Sequence, residues 1–550
     1  MTDVSALAGE LLGLLFTEQP VQATLIGVHE HDERLPELDE SARQLMRERA
    51  GQLADRARDL LASGLPEQDR ITAALVVQQA EALVSRIEFP LIDHVVASPL
   101  SACALKLLLV LPLIRPADEP QQRAYLARLA ALPEALGALA DRQRQALARG
   151  HAPVASLVRS AIRAIDRYLD DPGNDPLRRP ELADHLVPQR EQLLTVAVRP
   201  AYARYRELLA TQLLGHARPD ARPGLCWLPG GKAAYARLIR DHTTTELTAD
   251  QLHRTGLDLI ERLDEEYREI GGRAFGLDTA AAVRERLLTD PGLRWRDEAQ
   301  ILAVARDAVA RAHRAAPGWF GRLPEHECLV EPVPAELAAD LPAAYYTIPS
   351  VDGARLGTYF ANTSTPDERE RYTAEATAFH EAVPGHHFQF ATTVGRGDLP
   401  LLRRFAAIGA NVEGWGLYAE RLAEEMGLYS DDVARLGMLA MDSLRAARLV
   451  VDTGLHALGW SREQALDYLR ENTAQTEVDV VNEVDRYIEN PGQALGYMVG
   501  RLEIQRLRGL AERTWGADFD LRAFHDLVLG AGIVPLDLLA ELVREWRPRA

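Results

Sequence analysis

The stretch FHEAVPGHHFQ, residues 379–389, interrupts a histidine motif with a proline and a glycine. It begins like the pattern H-E-x-x-H, in which two histidines four residues apart on one helix face bind a metal ion beside a glutamate. His380 and Glu381 match that pattern, but the residue four after His380 is Pro384, and the next histidines come six and seven residues on. The stretch is therefore either a metal site with altered geometry or a helix that carries histidines for another reason.

A straight helix cannot bring these histidines to one ion. Each residue turns a helix by about 100°, so a residue six on points to the far side and one seven on lies about 10 Å further along the axis. Zinc ligands lie only about 2 Å from the metal. Pro384 has no N–H for the carbonyl of His380 and its ring clashes there, while Gly385 permits unusual backbone conformations. We therefore predict that the helix breaks here and that His386 lies beside His380.

A glutamate on the next helix is the natural third ligand, because a catalytic zinc site uses three protein ligands and leaves the fourth position to water. The stretch LLRRFAAIGANVEGWGLYAERLAEEMG predicts one helix that is closed by Gly427. Its Glu413 lies among apolar and small residues, where an unpaired carboxylate is rare, and this favours a metal ligand. Glu420 shares the same face. It either accepts a hydrogen bond from a ligand histidine or belongs to a solvated face, and both interpretations stay open.

The rest of the chain is patterned mainly for helices, since apolar residues recur at spacings of three and four through most of the sequence. Capping boxes at 248–251 and 461–464 predict two helix starts. A hairpin is predicted from 343 to 362, where β-branched and aromatic residues flank the turn signal VDG at 351–353. A capping box at 365–368 predicts the start of the helix that leads into the quoted stretch. The expected fold is mainly α, a large helical body with a deep cleft and a small β-hairpin or sheet next to the active-site helix.

Composition limits both the organisation and the partners of the chain. With 550 residues and 47% hydrophobic content it can bury large cores. We expect one domain over 1–550, with halves 1–225 and 226–550 lining the cleft. The net charge of −19 argues against nucleic-acid and membrane partners, which attract basic surfaces. Three cysteines far apart indicate neither a disulfide framework nor a thiolate metal site.

The sequence also gives an expectation about location. Its first residues, MTDVSALAGELLGLLF, lack the positive start of a secretory signal. The most apolar stretch, ALKLLLVLPLIRP, is too short to cross a bilayer. We therefore expect a soluble, cytoplasmic protein.

Three stretches together resemble a known family. They are HEAVPGHHFQ, EGWGLYAE and RYIENPGQALGYMVG, and they look like the DUF885 family of bacterial proteins, whose pattern is H-E-x-x-P-G-H-x-x-Q. That family includes proteins that resemble the M32 carboxypeptidases and related gluzincin metallopeptidases. The resemblance covers nearly the whole chain, since GVHEHDERLP, YYTIPSVDGARLGTYFANT and VVDTGLHALGW also read like stretches of the family.

Carried over position by position, the resemblance implies a role for each residue of the motif. His380 and His386 become the metal histidines, Glu381 the general base and Glu413 the third ligand. His386 is favoured over His387 because the histidine of the family directly follows Pro-Gly. One zinc ion per chain is implied, although histidine and carboxylate ligands also suit cobalt or manganese.

The implied mechanism also needs a donor for the oxyanion that forms at the attacked carbonyl. In related helical metallopeptidases this is a tyrosine from a segment after the third ligand. Tyr487 and Tyr497 flank IENPGQALG and are the candidates, with Tyr497 slightly preferred. Either one can instead be a tyrosine of the core.

Four further residues are candidates for contact with a substrate. The resemblance suggests that an exposed edge strand through Gly357, Thr358 and Tyr359 pairs with an extended peptide. Arg355 holds a substrate carboxylate or is a surface residue of the turn. Asp452 and His456 lie four apart on one helix face. They orient a ligand or contact substrate, or they form a hydrogen-bonded pair in the core.

The expected function is zinc-dependent hydrolysis of peptide or amide bonds, carboxypeptidase- or oligopeptidase-like, with a peptide or small amide as the partner. One alternative is a metal-dependent biosynthetic enzyme that acts on an amino-acid-derived metabolite. Another is a non-catalytic binding protein on a metallopeptidase scaffold. Glu381 argues against the binding protein, because a structural metal site needs no general base. The sequence sets no oligomeric state.

Overall fold

A computed structural model of the chain describes residues 4–334, 338, 342–349, 355–394 and 396–547. Over these residues the protein is mainly α, a large helical body with one small sheet, as the sequence predicts. No helix within these ranges has both the length and the apolar character needed to cross a membrane.

The described ranges contain 23 α-helices. The first twelve are α1 Val4–Glu18, α2 Pro20–Leu25, α3 Glu40–Ala62, α4 Glu67–Glu88, α5 Cys103–Val110, α6 Glu119–Ala148, α7 Ala155–Asp170, α8 Val187–Leu193, α9 Arg199–Leu208, α10 Gly231–Thr243, α11 Ala249–Phe275 and α12 Ala280–Thr289. The others are α13 Glu298–Ala315, α14 Ala374–Glu381, α15 His386–Val394, α16 Leu401–Phe405, α17 Gly409–Glu425, α18 Asp432–His456, α19 Arg462–Asn472, α20 Glu477–Glu489, α21 Leu495–Trp515, α22 Leu521–Gly530 and α23 Leu536–Glu545.

The chain forms two compact units. Unit 1 consists of Met1–Arg237, Leu455–Ala465 and Asn482–Pro491, and unit 2 consists of Leu238–Gly454, Leu466–Val481 and Gly492–Ala550. Within unit 1, α3 packs against α4 and both contact α1. Within unit 2, α17 packs along α21, and α14 contacts α13 and α17. The division into halves 1–225 and 226–550 with a cleft between them stays a prediction.

The sheet has three short strands: β1 Leu329–Pro332, β2 Ala344–Thr347 and β3 Thr358–Ala361. β2 and β3 pair antiparallel, with Tyr346 opposite Tyr359, which confirms the predicted hairpin. The predicted turn at 351–353 lies outside the described residues.

The prediction that the strand after Gly357 is a free edge is wrong. β1 pairs parallel with β3 on its other side, so β3 is the central strand of the order β1-β3-β2. The carbonyl of Gly357 itself accepts a hydrogen bond from the N–H of Leu329. Because both sides of β3 are paired within the sheet, its backbone has no open side for a peptide.

Two of the three predicted helix starts are confirmed. At 248–251 the side chain of each end residue bonds the backbone N–H of the other, and the same exchange occurs at 461–464. The third, at 365–368, is wrong. Thr365 has a left-handed backbone (φ 45°) and no capping hydrogen bond, only a 3-10 turn follows, and the helix begins at Ala374. In between, the N–H of Arg371 bonds the carbonyl of Leu293, so a tertiary contact extends the backbone there.

Candidate metal centre

The helix that carries His380 breaks at the predicted place. α14 ends at Glu381, the Val383–Pro384 peptide bond is cis, and α15 begins at His386. Gly385 packs directly against the end of α14, where a Cβ would overlap the carbonyl oxygen of His380. A residue with any side chain cannot approach so closely, and the chain therefore turns back tightly enough to bring the second histidine beside the first.

The two imidazole rings lie perpendicular to one another, with centroids 4.7 Å apart and an interplanar angle of 82°. Both side chains are buried. The carboxylate of Glu413, from the first half of α17, reaches both: its Oε2 lies 3.4 Å from Nε2 of His380 and 3.7 Å from Nε2 of His386. Three groups that commonly bind metals thus point at one another from three segments of the chain.

The spacing of these atoms fits a single zinc ion. Ligand atoms about 2.0 to 2.2 Å from a tetrahedral ion lie about 3.3 to 3.6 Å from one another. The distance of 3.4 Å from Glu413 to His380 lies in this range, and the 3.7 Å to His386 exceeds it by 0.1 Å. Glu381 also belongs to the cluster, since ligand atoms of His380, Glu381 and His386 all lie within 4.8 Å of each other. Of the two carboxylates we favour Glu413 as the ligand, because it faces the Nε2 atoms of both histidines.

A second carboxylate lies behind the first histidine. Oε1 of Glu420 accepts a hydrogen bond of 2.8 Å from Nδ1 of His380, and the Glu420 side chain is fully buried. Its other oxygen, Oε2, has no hydrogen-bond partner among the described residues. The bond fixes the ring so that Nε2 faces Glu413, and a carboxylate in this position makes an imidazole a stronger metal ligand.

The buried groups of the cluster shift the pKa values of His380 and Glu413. Burial lowers the pKa of His380, but the hydrogen bonds to Glu413 and Glu420 outweigh burial and raise this pKa to about 10. For Glu413 burial raises the pKa, while hydrogen bonds to His380 and His386 outweigh it and hold this pKa well below its usual range. A buried positive charge is therefore stable at this position, which a metal cation can supply in place of the proton.

Small residues on α17 make room for this arrangement. A Cβ on Gly416 would lie 2.6 to 2.9 Å from three atoms of the His380 ring. A Cβ on Gly414 would overlap the backbone at Gly500 of α21. Gly416 was missed in the sequence, although the stretch EGWGLYAE has glycines at both positions and so contains the signal.

His387 takes part in a different set of contacts. Its Nδ1 accepts from the hydroxyl of Tyr346, and its Nε2 donates to the carbonyl of His326, each at 3.0 Å. Burial lowers its pKa to about 4, so the ring is neutral. Gly357 lies against this bond, where a Cβ would overlap the Tyr346 hydroxyl. Both nitrogens of His387 are thus occupied, whereas Nε2 of His386 faces Glu413.

The two candidate tyrosines have different surroundings. Tyr497 of α21 is half-buried in unit 2, and the guanidinium groups of Arg448 and Arg445 lie 4.6 and 6.0 Å from the centre of its ring. Tyr487 belongs to unit 1, is fully buried, and donates its hydroxyl to Glu483 of the same unit.

The remaining candidates have structural partners. Arg355 is exposed and donates to the carbonyl of Ile348 at 3.2 Å. Asp452 is buried and accepts from the N–H of Gly492 with both oxygens, at 3.0 and 3.1 Å.

His456 is also bonded through both ring nitrogens. Nδ1 accepts from the N–H of Leu225 and Nε2 donates to the carbonyl of Tyr487, each at 3.0 Å. Burial lowers its pKa to about 3. These contacts tie backbone segments together and leave neither nitrogen for a metal ion.

Comparison with known proteins identifies the family. A family model described as "Bacterial protein of unknown function (DUF885)" matches residues 20–543. The chain belongs to the DUF885 family. Among curated proteins no match was found.

Two solved structures share the fold of this DUF885 protein. The crystal structure of the "putative lipoprotein" from Colwellia psychrerythraea has 27% sequence identity and a TM-score of 0.90, and the match covers 99% of both chains. A "putative lipoprotein of unknown function" from Shewanella oneidensis has 18% identity and a TM-score of 0.77 over 99% of this chain and 100% of its own. A third structure, described as a "putative oligoendopeptidase F" from Bacillus anthracis str. Ames, has a TM-score of 0.32, too low to support an argument.

The cytoplasmic location predicted from the sequence is contradicted by these relatives. Both share almost the full length of the chain and are described as lipoproteins, a class of protein that is anchored to a membrane. The prediction rested on the character of the first residues and on the lack of a long apolar stretch, and neither establishes where a protein resides. The absence of nucleic-acid and membrane partners stays a prediction.

Proposed function

We propose that this DUF885 protein is a zinc-dependent metallohydrolase that cleaves peptide or amide bonds, in the manner of a carboxypeptidase or oligopeptidase. The observation that carries the proposal is the position of Glu413, whose Oε2 lies 3.4 and 3.7 Å from the Nε2 atoms of His380 and His386. Two imidazoles and one carboxylate form a donor set that is common in catalytic zinc sites.

His380, His386 and Glu413 would hold the ion, with Glu420 orienting the first histidine. A zinc ion in such a site polarises a carbonyl group and lowers the pKa of water to near neutrality. Because three protein ligands leave one position of a tetrahedral site open, the donor set favours a catalytic over a structural role.

Glu381 is the group that would move the proton. It follows His380 directly and is half-buried. It belongs to the same cluster as the two histidines, but Glu413 is the carboxylate that faces both Nε2 atoms. A carboxylate in this position can accept a proton from the attacking water and later donate it to the leaving amine. A purely structural metal site would have no use for it.

The experiment that tests the proposal compares the parent protein with Glu381→Gln. Both are purified without chelator or nickel affinity, and zinc per chain is measured by plasma mass spectrometry. Hydrolysis is then measured with a library of short peptides. We expect about one zinc per chain in both proteins and a loss of turnover of roughly a hundredfold or more in the variant, the usual contribution of a general base.

Two results would overturn the proposal. One is a protein that takes up no zinc even when zinc is offered at neutral pH. The other is a zinc-loaded Glu381→Gln variant that cleaves as fast as the parent. A protein that ignores peptides yet needs Glu381 for another conversion would instead support the biosynthetic alternative.

A further inference from the structure

A buried arginine without a counter-ion lies in unit 2. Arg445 of α18 is only 8% exposed, and its Nε has no hydrogen-bond partner among the residues that the structure describes. Its Nη1 contacts the carbonyl oxygen and the sulfur of Met441, one turn earlier. Within the described ranges no carboxylate lies within 4.0 Å of this guanidinium, because none of the ion pairs includes it. A buried charge without a partner is costly and therefore rare.

Two other arginines of unit 2 do have a counter-ion. Arg421 and Arg501, also largely buried, share the carboxylate of Asp442, one turn before Arg445 on α18. Asp442 thus supplies a counter-ion to those arginines and not to Arg445. No carboxylate of the described residues pairs with Arg445, which is the condition expected of a residue that binds an anionic ligand.

Arg445 also shares an aromatic platform with a second arginine. The guanidinium carbons of Arg445 and Arg448 lie 6.0 and 4.6 Å from the centre of the Tyr497 ring. Tyr497 itself is half-buried, whereas Arg445 and Arg448 are buried, at 8% and 5% exposed. A cation near the face of an aromatic ring is attracted by it, and the N–H fork of a guanidinium suits a planar anion.

Helix geometry places Tyr497 on the same side of the α17–α21 pair as Glu413. α17 and α21 run in the same direction and touch through small residues, with Gly496 beside Ala410 and Gly500 beside Gly414. Glu413 lies one residue before the contact glycine Gly414 on α17, and Tyr497 lies three residues before the contact glycine Gly500 on α21. Because each residue turns a helix by about 100°, these two side chains project to the same side of the helix pair.

We propose that Arg445, with Arg448 on the Tyr497 ring, forms a subsite for a carboxylate group of the substrate. This inference rests on the proposed hydrolase function and names its substrate class, peptides or amides that carry a free carboxylate near the bond to be cleaved. Arginine is suited to this role because its two parallel N–H groups bind the two oxygens of a carboxylate together. The carboxylate can be a peptide C-terminus or an acidic side chain, and the test separates the two.

The test measures binding by calorimetry in the Glu381→Gln background, so that no probe is cleaved. Three N-acetylated alanine tripeptides serve as probes: one with a free C-terminus, one amidated, and one amidated with glutamate as its last residue. Each is titrated into zinc-loaded and zinc-free protein, because a carboxylate can also bind a metal ion directly. We expect the free acid or the glutamate peptide to bind at least about tenfold more tightly than the neutral amide, with and without zinc.

Substitutions then assign the preference to a residue. Arg445→Gln should abolish the preference for a carboxylate, while Arg445→Lys should retain part of it. Arg435→Gln is the matched control, since it removes one positive charge from the same helix at a residue that pairs with Glu424 and Asp432. The folding of each variant is checked by its melting temperature.

The results separate this inference from the function on which it rests. Equal affinity for all three probes in the parent, no binding of any probe, or a preference that survives Arg445→Gln would each overturn the carboxylate subsite. A preference that depends on Arg445 in a protein that cleaves no peptide would support the subsite and overturn the hydrolase.

Discussion

Gly416 of α17 lies directly against the imidazole of His380, where a Cβ would come within 2.6 Å of Cε1 and 2.7 Å of Nε2. The ring is also bonded to Glu420 from the same helix. One helix thus fixes His380 in two ways, by the space that a glycine leaves and by a hydrogen bond one turn later. The position of this ring is set by α17 as much as by α14, to which it belongs.

Gly416→Ala should weaken zinc binding by at least tenfold, because the added methyl group overlaps the ring and forces Nε2 of His380 away from Glu413. Zinc affinity is measured by competition with a chromophoric chelator. Gly409→Ala is the control, since this glycine begins the same helix and a Cβ there meets nothing within 4 Å. Equal affinity of the two variants would contradict the role of Gly416.

Glu420→Gln should lower zinc affinity by roughly ten- to a hundredfold. The amide keeps the size of the side chain and an oxygen that can accept from Nδ1 of His380, but it removes the negative charge that strengthens the imidazole as a ligand. The same competition measurement applies. Glu425→Gln changes the charge of the same helix at an exposed residue that pairs with Arg508, and it should leave zinc affinity unchanged. An equal loss in both variants would mean that Glu420 acts only through net charge.

The helical body and the break in the motif could be predicted because both depend on local sequence. Apolar spacing, the capping boxes at 248–251 and 461–464, and the Pro384-Gly385 pair determine their own neighbourhood. Glu413 could be proposed from its apolar and small neighbours, and Glu420 because it lies seven residues further on the same helix face. Even so, the predicted helix around them is two helices, since α16 ends at Phe405, and the carbonyl of Arg403 bonds the N–H of Ile533 far along the chain.

The sequence predictions failed where contacts between distant segments of the chain determine the structure. β1 is a four-residue strand of mostly exposed residues, and its parallel pairing with β3 involves no local turn, so no pattern in the sequence predicts it. That one strand converts the expected edge into a central strand. The role of His387 likewise depends on Tyr346 and the carbonyl of His326, 41 and 61 residues away. The sequence shows which groups are present, but packing decides which of them meet.

Glu489 in unit 1 should make stability depend on pH. Burial raises its pKa to about 7, although the N–H groups of Val96, Ala97 and Ser98 bond the carboxylate and lower the pKa. Because the folded state holds this proton more tightly than the unfolded state, its contribution to the free energy of unfolding is full below about pH 4.5. The contribution is lost as the pH rises to about 7, by an amount on the order of 3 kcal/mol.

Glu489→Gln should remove this part of the pH dependence, because an amide does not titrate. Urea unfolding of parent and variant is compared at pH 5 and pH 8, so that all other titrating groups cancel in the difference. We expect the parent to lose more stability than the variant between the two values. An equal loss of stability in the parent and in Glu489→Gln would show that the carboxyl group of Glu489 does not hold a proton in the folded protein.

Tyr497→Phe tests the proposed oxyanion donor. The substitution keeps the ring on which Arg445 and Arg448 stack and removes only the hydroxyl. If this hydroxyl donates to the oxyanion, kcat should fall about a hundredfold while KM stays nearly constant, because the interaction forms only in the transition state.

Tyr487→Phe is the matched control. Its hydroxyl donates to Glu483 within unit 1, so its loss should lower the melting temperature and leave kcat unchanged. A loss of kcat in Tyr487→Phe and not in Tyr497→Phe would reverse the assignment, since the removed atom is the same in both variants.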